Sequence, residues 1–566
     1  MSSKVQNKVP FSWIVLFLCG MNLFFMHGYM FLTSGLEWDP DFFVFFDNVF
    51  GVIFDVLVIF LLIYILSSLR FALCFCFGVT LLWSFANVLY SRFFQHYISL
   101  SAIGQGDALF NSQMLSIVIG GIRWIDLYFV FVLVLFLILW KQIEKIDKIK
   151  SRIALILLIS FLVDLGGYFL WCSLSQDRRF LRFCTNVYSY YHFSEHFQSC
   201  NPQMAFFGRG SVYTLITDLY LLSQGTVELT EKQIQQIRTE QMKSRPDWEN
   251  AQTSKKNIII IIVESYMSFT SNMKVNDKEI TPFLNSLRRD STVYYNGEMS
   301  DNVTIGESSD GQFIYMTGIL PLRSAITVSK TKGITLPGLP KRLGGDAQMI
   351  IPTTASMWNQ DDMCRQYGFN HLYSNTDYNG EHDTYLNDEQ VFQMAIQKDS
   401  HIKEPFLLVI LTMSMHQPYI EQIDPTFFIS DKSISSELAC YLNACHYTDS
   451  QIRRYFQHLK LSELYDKSLI VIVADHPVHN TDFGGVSKNI PLYMINVPKE
   501  KRQKMREGKC NQIDLYTTLL DLVGAKGDWY GMGRSLLSPY YSPVIDEKQW
   551  NASEMIIRGD YFKNIE

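Results

Sequence analysis

The chain lacks what a nucleic-acid partner would need. Its 49 Lys and Arg residues are outnumbered by 55 Asp and Glu, for a net charge of −6, and there is no basic excess beyond clusters that membrane topology explains. No cysteine spacing resembles a zinc-thiolate site. No internal repeat or low-complexity tract is present, which sets aside repeat arrays and disordered scaffolds. Charge is also nearly missing from five stretches before residue 175: Trp13 to Leu32, Val49 to Leu66, Phe71 to Tyr90, Trp124 to Trp140 and Ile153 to Trp171. Each is long enough for a membrane helix. The first lacks a small-residue cleavage site and is followed by four more, which argues against a cleaved signal peptide.

These stretches predict a five-span α-helical membrane domain over residues 1–175. Basic residues stay on the cytoplasmic side. Lys4 and Lys8 before the first span, and "KQIEKIDKIKSR" (141–152) between the fourth and fifth, are therefore expected inside, while the acidic "GLEWDPD" after the first span faces outward. An odd number of spans places everything after residue 175 outside the cytosol. Asp55 and Asp164 fall inside apolar spans, where an acid is costly and faces a partner, a polar cavity or a lipid headgroup. The loop from Ser91 to Arg123 is either a plain connector or a segment lying on the bilayer surface. Residues 176–256 read as a linker with a juxtamembrane helix starting at Thr230, where Gln233 completes a capping box. Six cysteines (Cys184, Cys200, Cys364, Cys440, Cys445, Cys510) lie in the outer half. A Cys184–Cys200 disulfide is the specific expectation, and Cys440 should not pair with Cys445.

From residue 257 to 566 the pattern is that of an α/β domain. "NIIIIIVES" (257–265), "AQMIIP" (347–352), "PFLLVILTMS" (405–414) and "SLIVIVADH" (468–476) are short, continuous apolar runs suited to strands covered on both faces of a mostly parallel sheet. "ITPFLNSLRR" and "SELACYLNACHYTDSQIRRYFQHLK" carry helical spacing. Ligands of such sheets sit outside the carboxyl ends of the strands. Three of the four runs end there in chemistry: Glu264, His416, and the pair Asp475 and His476.

Two carboxylates and an imidazole converging on one point suit a divalent cation with mixed oxygen and nitrogen ligands, zinc or manganese. A hydroxyl in the open position of such an ion becomes a nucleophile. "DNVTIGESSDGQF" (301–313) offers Ser308 and Ser309 ahead of an expected helix, "GQFIYMTGIL", whose first amides would favour a phosphate. Each residue also has a plainer role: Glu264 as a helix cap, Ser308 as an N-cap, His416 as a satisfied loop histidine.

These segments, in this order, resemble the sulfatase-like branch of the alkaline phosphatase superfamily, and within it the lipoteichoic acid synthase type of membrane phosphoglycerol transferase. "IIIVESYMSF" is similar to the family's first strand with its metal-binding glutamate, "EITPFLNSL" to the helix after it, and "GESSDGQF" to the nucleophile segment. "TMSMHQPY" resembles the block with a substrate-binding histidine, and "VADHPVHN" the block with the last two metal ligands. "CNQIDLYTTLLDLVGA" and "GMGRSLL" resemble the closing helix and strand. The resemblance implies one divalent ion, Mn2+ or Zn2+ with Mg2+ as a further option, held by Glu264, Ser308, Asp475 and His476. It also implies Ser308 as catalytic nucleophile, with Ser309 and Thr304 as lesser candidates. His416, Trp358, Asn359 and Gln360 are implied as substrate-binding residues, and His479 as a weaker neighbour of the site.

Two departures stand out. The family nucleophile is usually threonine, and Ser308 keeps the hydroxyl. Gln360 stands where an arginine that helps hold the phosphoglycerol is expected, which removes a fixed charge and a forked donor. The implied activity is transfer of a phosphoglycerol headgroup from phosphatidylglycerol to an extracytoplasmic glycan or glycolipid, at a bacterial inner membrane. The alternatives are phosphoethanolamine transfer from phosphatidylethanolamine, or a non-catalytic sensor that keeps the fold. The cysteine nucleophile motif of sulfatases is absent around residue 308.

Overall fold

The first four of the nearly uncharged runs form helices with apolar side chains facing outward as well as inward. The computed structural model describes residues 11–33, 42–94, 96–100, 121–140, 206–207, 210–223, 226–244, 256–323, 325–399, 402–417, 419, 427, 429, 434–478, 483, 485–539 and 541–563. Described residues up to 223 belong to one compact unit, and those from 226 onward to another.

The first unit contains α1 (Phe11–Thr33), α2 (Phe42–Leu66), α3 (Leu69–Phe94), α4 (Leu127–Trp140) and α5 (Ser211–Ser223). Phe17, Leu62, Leu82 and Phe131 turn outward, at 66%, 60%, 68% and 67% exposure. Helices with apolar side chains on the outside as well as the inside need apolar surroundings. Phe11–Thr33 and Leu69–Arg92 are long and apolar enough to cross a membrane, and Gly51–Leu66 and Trp124–Trp140 are shorter apolar helices. The expected fifth span with Asp164, the basic and acidic loops that set the orientation, the Cys184–Cys200 pair and His479 lie outside the described residues.

Asp55 finds its partner within this unit. Its carboxylate accepts from the amides of Ser211 (2.6 Å) and Val212 (2.9 Å), the first residues of α5. These amides have no partner within their own helix, and the buried acid meets both needs at once. Arg92 near the end of α3 makes a forked pair with Asp126, both contacts at 2.7 Å.

The second unit is built on an eight-stranded sheet. Its elements, in chain order, begin with α6 (Glu231–Lys243), β1 (Asn257–Val263), α7 (Pro282–Arg289), β2 (Tyr294–Ser300) and α8 (Ser308–Thr317). There follow β3 (Asp346–Ile350), α9 (Gln360–Tyr367), β4 (His371–Tyr373), α10 (Asp388–Asp399), β5 (Phe406–Leu411), α11 (Ser436–Leu461) and β6 (Ser468–Ala474). The chain ends with β7 (Ile490–Ile495), β8 (Cys510–Asn511), α12 (Asp514–Val523) and α13 (Glu547–Arg558). The strand order is β8-β2-β7-β6-β1-β5-β3-β4. All the pairings are parallel except those of β7 with β6 and β2. The four runs expected as strands are β1, β3, β5 and β6. Every residue of β1, β5 and β6 is buried, as in a sheet covered on both faces.

Parts of the expected 176–256 linker join both units, since α5 is held by Asp55 and α6 packs in the second unit. Thr230 and Gln233 form the expected capping box at the start of α6. "GMGRSLL" forms no strand. Its backbone follows α12 as an irregular segment in which the Arg534 amide donates to Asp514 (2.7 Å). The described cysteines of this unit, Cys364, Cys440, Cys445 and Cys510, are free thiols.

The "TPFL" helix α7 borrows its cap. Thr281 at its N-cap position makes no capping bond of its own. Asp449 of α11 accepts instead from the amides of Phe283 (3.0 Å) and Leu284 (2.8 Å). Burial pushes the Asp449 carboxyl up to about 7. Between its unfolded value near 4 and about 7 the folded chain holds a proton that the unfolded chain has released, so this group's contribution to stability falls as pH rises through that window. Asp449→Asn is expected to flatten the pH dependence of urea unfolding between pH 4 and 7. Asp449→Ala is expected to lower stability by about 1–2 kcal/mol through loss of the cap.

Candidate metal centre and nucleophile

The site arises because neighbouring strands end level with one another. Val263 at the end of β1 pairs with Ala474 at the end of β6, and Ile262 pairs with Leu411 of β5. The next residue on each strand is Glu264, Asp475 and Thr412. The Thr412 hydroxyl accepts from the Glu264 amide (3.0 Å), and Asp475 accepts from the amides of Ser265 and His476, both at 2.8 Å. Ligand atoms of Glu264, Asp475 and His476 all lie within 4.8 Å of one another, and all three residues are buried.

Helix α8 brings the hydroxyl. It starts at Ser308, three residues earlier than its apolar pattern suggests, so Ser308 is the first helical residue and Glu307 the N-cap. The Ser308 hydroxyl donates to Glu264 Oε2 (3.2 Å) and lies 3.1 Å from His476 Nε2. The other two candidate hydroxyls are engaged elsewhere. Ser309 donates to the Gly306 carbonyl (2.7 Å), and Thr304 to Asp310 and the Leu322 carbonyl, both at 2.7 Å. Ser308 is half-buried whereas Ser309 is buried, so of the pair it is the one a reactant can reach.

The docking of α8 onto β6 requires a glycine. A Cβ at Gly311 would meet the Asp475 carbonyl at 2.6 Å and its Cα at 3.0 Å. The expectation that the first-turn amides face a phosphate is not met by three of them. Ser309 donates to the Gly306 carbonyl, and Asp310 and Gly311 to that of Glu307. Asp310 braces the preceding loop through the amides of Thr304 and Gly306, both at 3.0 Å, and burial raises its carboxyl to about 6.

The site gathers three acids around one imidazole. Burial and the Glu264 carboxylate push Asp475 up to about 7. Burial pushes the His476 imidazole down, but Asp475, Glu307 and Glu264 outweigh it and hold its proton up to about 10. Buried carboxylates thus gather protons that solvent would remove. A divalent ion supplies the same positive charge, and its mixed oxygen and nitrogen donor set is present, so the residues fit such an ion.

Glu307 joins the cluster unforeseen, its Oε2 3.8 Å from His476 Nδ1. The signal was its place directly before the serine. Expected substrate residues follow the carboxyl ends of β5 and β3. His416 is half-buried on a turn held by Asp388, which accepts from the amides of Met413 (2.7 Å) and Ser414 (2.9 Å). Trp358 and Asn359 both have φ of 53°, a left-handed backbone that is uncommon for a bulky residue such as tryptophan and more readily adopted by asparagine. Gln360 is buried, and its amide donates to Gln312 of α8 (2.7 Å), tying this segment to the nucleophile helix.

Comparison with known proteins gives a consistent family. The model of the Sulfatase family matches residues 256–525. Lipoteichoic acid synthase 2 of Bacillus subtilis (strain 168) is 27% identical over 315 residues, covering 51% of this chain and 48% of that protein. The match thus spans about half the length of that relative. Lipoteichoic acid synthase 1 of the same organism is 26% identical over 495 residues, 81% of this chain and 74% of that one. Among solved structures, the integral membrane protein lipooligosaccharide phosphoethanolamine transferase A from Neisseria meningitidis shares the fold. Its TM-score is 0.54 at 13% identity, covering 91% of this chain and 95% of that one. Residues 256–525 match the Sulfatase family, and the chain that carries them is similar in sequence to the lipoteichoic acid synthases.

Proposed function

We propose that the chain is a membrane-bound phosphotransferase that moves a phosphoglycerol headgroup from phosphatidylglycerol to an extracytoplasmic glycan or glycolipid. The observation that carries this reading is the Ser308 hydroxyl, 3.2 Å from Glu264 Oε2 and 3.1 Å from His476 Nε2. Such a hydroxyl, aimed at a ligand cluster from the start of a helix, is placed to attack phosphorus. In the first step a bond forms between Ser308 Oγ and phosphorus as the bond to the diacylglycerol oxygen breaks; the serine proton passes to Glu264, which already accepts its hydrogen bond, and His416 gives a proton to the departing oxygen. In the second step an acceptor hydroxyl attacks phosphorus and yields its proton to His416, while the Oγ–P bond breaks and Ser308 regains its proton from Glu264.

Glu264, Asp475 and His476 would hold the divalent ion, Mn2+ or Zn2+, which when bound supplies positive charge for the phosphoryl oxygens and lowers the pKa of the serine hydroxyl. Gly311 keeps the helix bearing Ser308 against the strand end, so nucleophile and ligands stay in register. Trp358 and Asn359 line the headgroup pocket. The apolar helices of the first unit keep the enzyme beside a donor that does not leave the bilayer, and the positive-inside pattern supports a catalytic unit on the outer face of a bacterial inner membrane.

Gln360 favours a second reading. A neutral amide stands where the resemblance implies arginine, and it is bonded to Gln312 instead of being free to clamp a phosphate. This opens the site to phosphatidylethanolamine as donor. Purified full chain offered each lipid, labelled in the diacylglycerol part, decides between them. Release of diacylglycerol from phosphatidylglycerol alone supports the first reading, and release from phosphatidylethanolamine alone replaces it.

Ser308→Ala is expected to reduce diacylglycerol release on the order of 10³-fold or more with either donor, and full turnover in that variant would refute the nucleophile. Chelation of the purified protein is expected to abolish turnover and added Mn2+ or Zn2+ to restore it. In Asp475→Asn the same additions should restore little.

A further inference from the structure

Glu307 occupies a backbone position that an acidic side chain should avoid. Its φ of 45° and ψ of −118° belong to a region that glycine enters freely and L side chains do not. Strain of this kind persists where the surroundings require the side chain. What the side chain does is visible in its neighbour. Among the described residues, Nδ1 of His476 lies 2.8 Å from the Pro477 carbonyl and 3.8 Å from Glu307 Oε2, both proton acceptors. Nε2 faces the Ser308 hydroxyl at 3.1 Å, Glu264 at 3.6 Å and Asp475 at 3.7 Å.

We infer that Glu307 is a positioning residue for His476, fixing the proton on Nδ1 and presenting the Nε2 lone pair to the metal centre. This rests on the reading of Glu264, Asp475 and His476 as metal ligands. A carboxylate behind a ligating imidazole sets the ring's orientation and raises the basicity of the ligating nitrogen, and its loss weakens metal binding about 10–100-fold. The position also separates this role from a structural one. Glycine relieves the backbone strain while removing the carboxylate, whereas glutamine removes the charge and keeps the strain.

The test uses the full chain in detergent, stripped of metal and titrated with Mn2+ and Zn2+ against a competing chelator, as wild type, Glu307→Gln and Glu307→Gly. Both variants are expected to bind metal about 10–100-fold more weakly than wild type. Metal-free Glu307→Gly is expected to unfold about 2–6 °C above metal-free Glu307→Gln. The combination of a more stable protein with a weaker metal site is the outcome a purely structural residue would not give. Wild-type metal affinity in either variant overturns the inference and leaves the Pro477 carbonyl as the group that orients the ring. Wild-type protein that takes up neither ion overturns it together with the ligand assignment.

Discussion

Seven successive parallel pairs, from Asn257 opposite Ser468 to Val263 opposite Ala474, fix where everything else in the catalytic unit must lie. In a sheet buried on both faces, alternation of apolar and polar residues does not choose the register. The run ends choose it. Slipping β1 by one residue against β6 would draw Glu264 toward the apolar layer or push Asn257 out of it, and burying an unpaired carboxylate costs several kcal/mol. The same polar residues that mark the end of the strands therefore align them. Alignment sets Glu264 and Asp475 side by side, and the candidate metal site follows from strand pairing before any helix is considered.

Two further contacts turn that pair of acids into a reaction centre. The glycine contact of α8 with Asp475 brings the serine hydroxyl within reach, and the strained Glu307 backbone swings a third acid behind His476. The outcome is a concentration of negative charge in a place shielded from water, with the imidazole holding its proton well above the ordinary histidine range. Such a donor set suits a divalent cation. Trp358, Asn359 and His416 sit on the loops after β3 and β5, at the same end of the sheet as Glu264 and Asp475.

Much of this was legible in the sequence, and the reasons differ from element to element. The continuous runs that became β1, β3, β5 and β6 are strands for want of any other way to bury six or seven β-branched residues in a row, and the polar residues that end them mark the crevice. "YYNGEMS" (β2) was hidden by Asn296 and Gly297, and "IPLYMI" (β7) by Pro491, which breaks the apolar run at its second residue. Ser-Ser-Asp reads as a cap, which makes α8 look three residues shorter in the sequence than it is in the fold. Asp449 and Asp388 look like solvent-facing helix acids, and only the fold reveals that each satisfies backbone amides of another segment. Glu307 gave no signal beyond its place beside Ser308, since nothing in the residue order discloses its left-handed backbone.

The glycine at 311 has a mechanical consequence. Because helix and strand end touch there backbone to backbone, any larger residue would push the Ser308 hydroxyl away from Glu264 and His476, so the three are held as one rigid piece. Gln360 meets the same helix through side chains alone, a joint whose residues can be exchanged without displacing that hydroxyl.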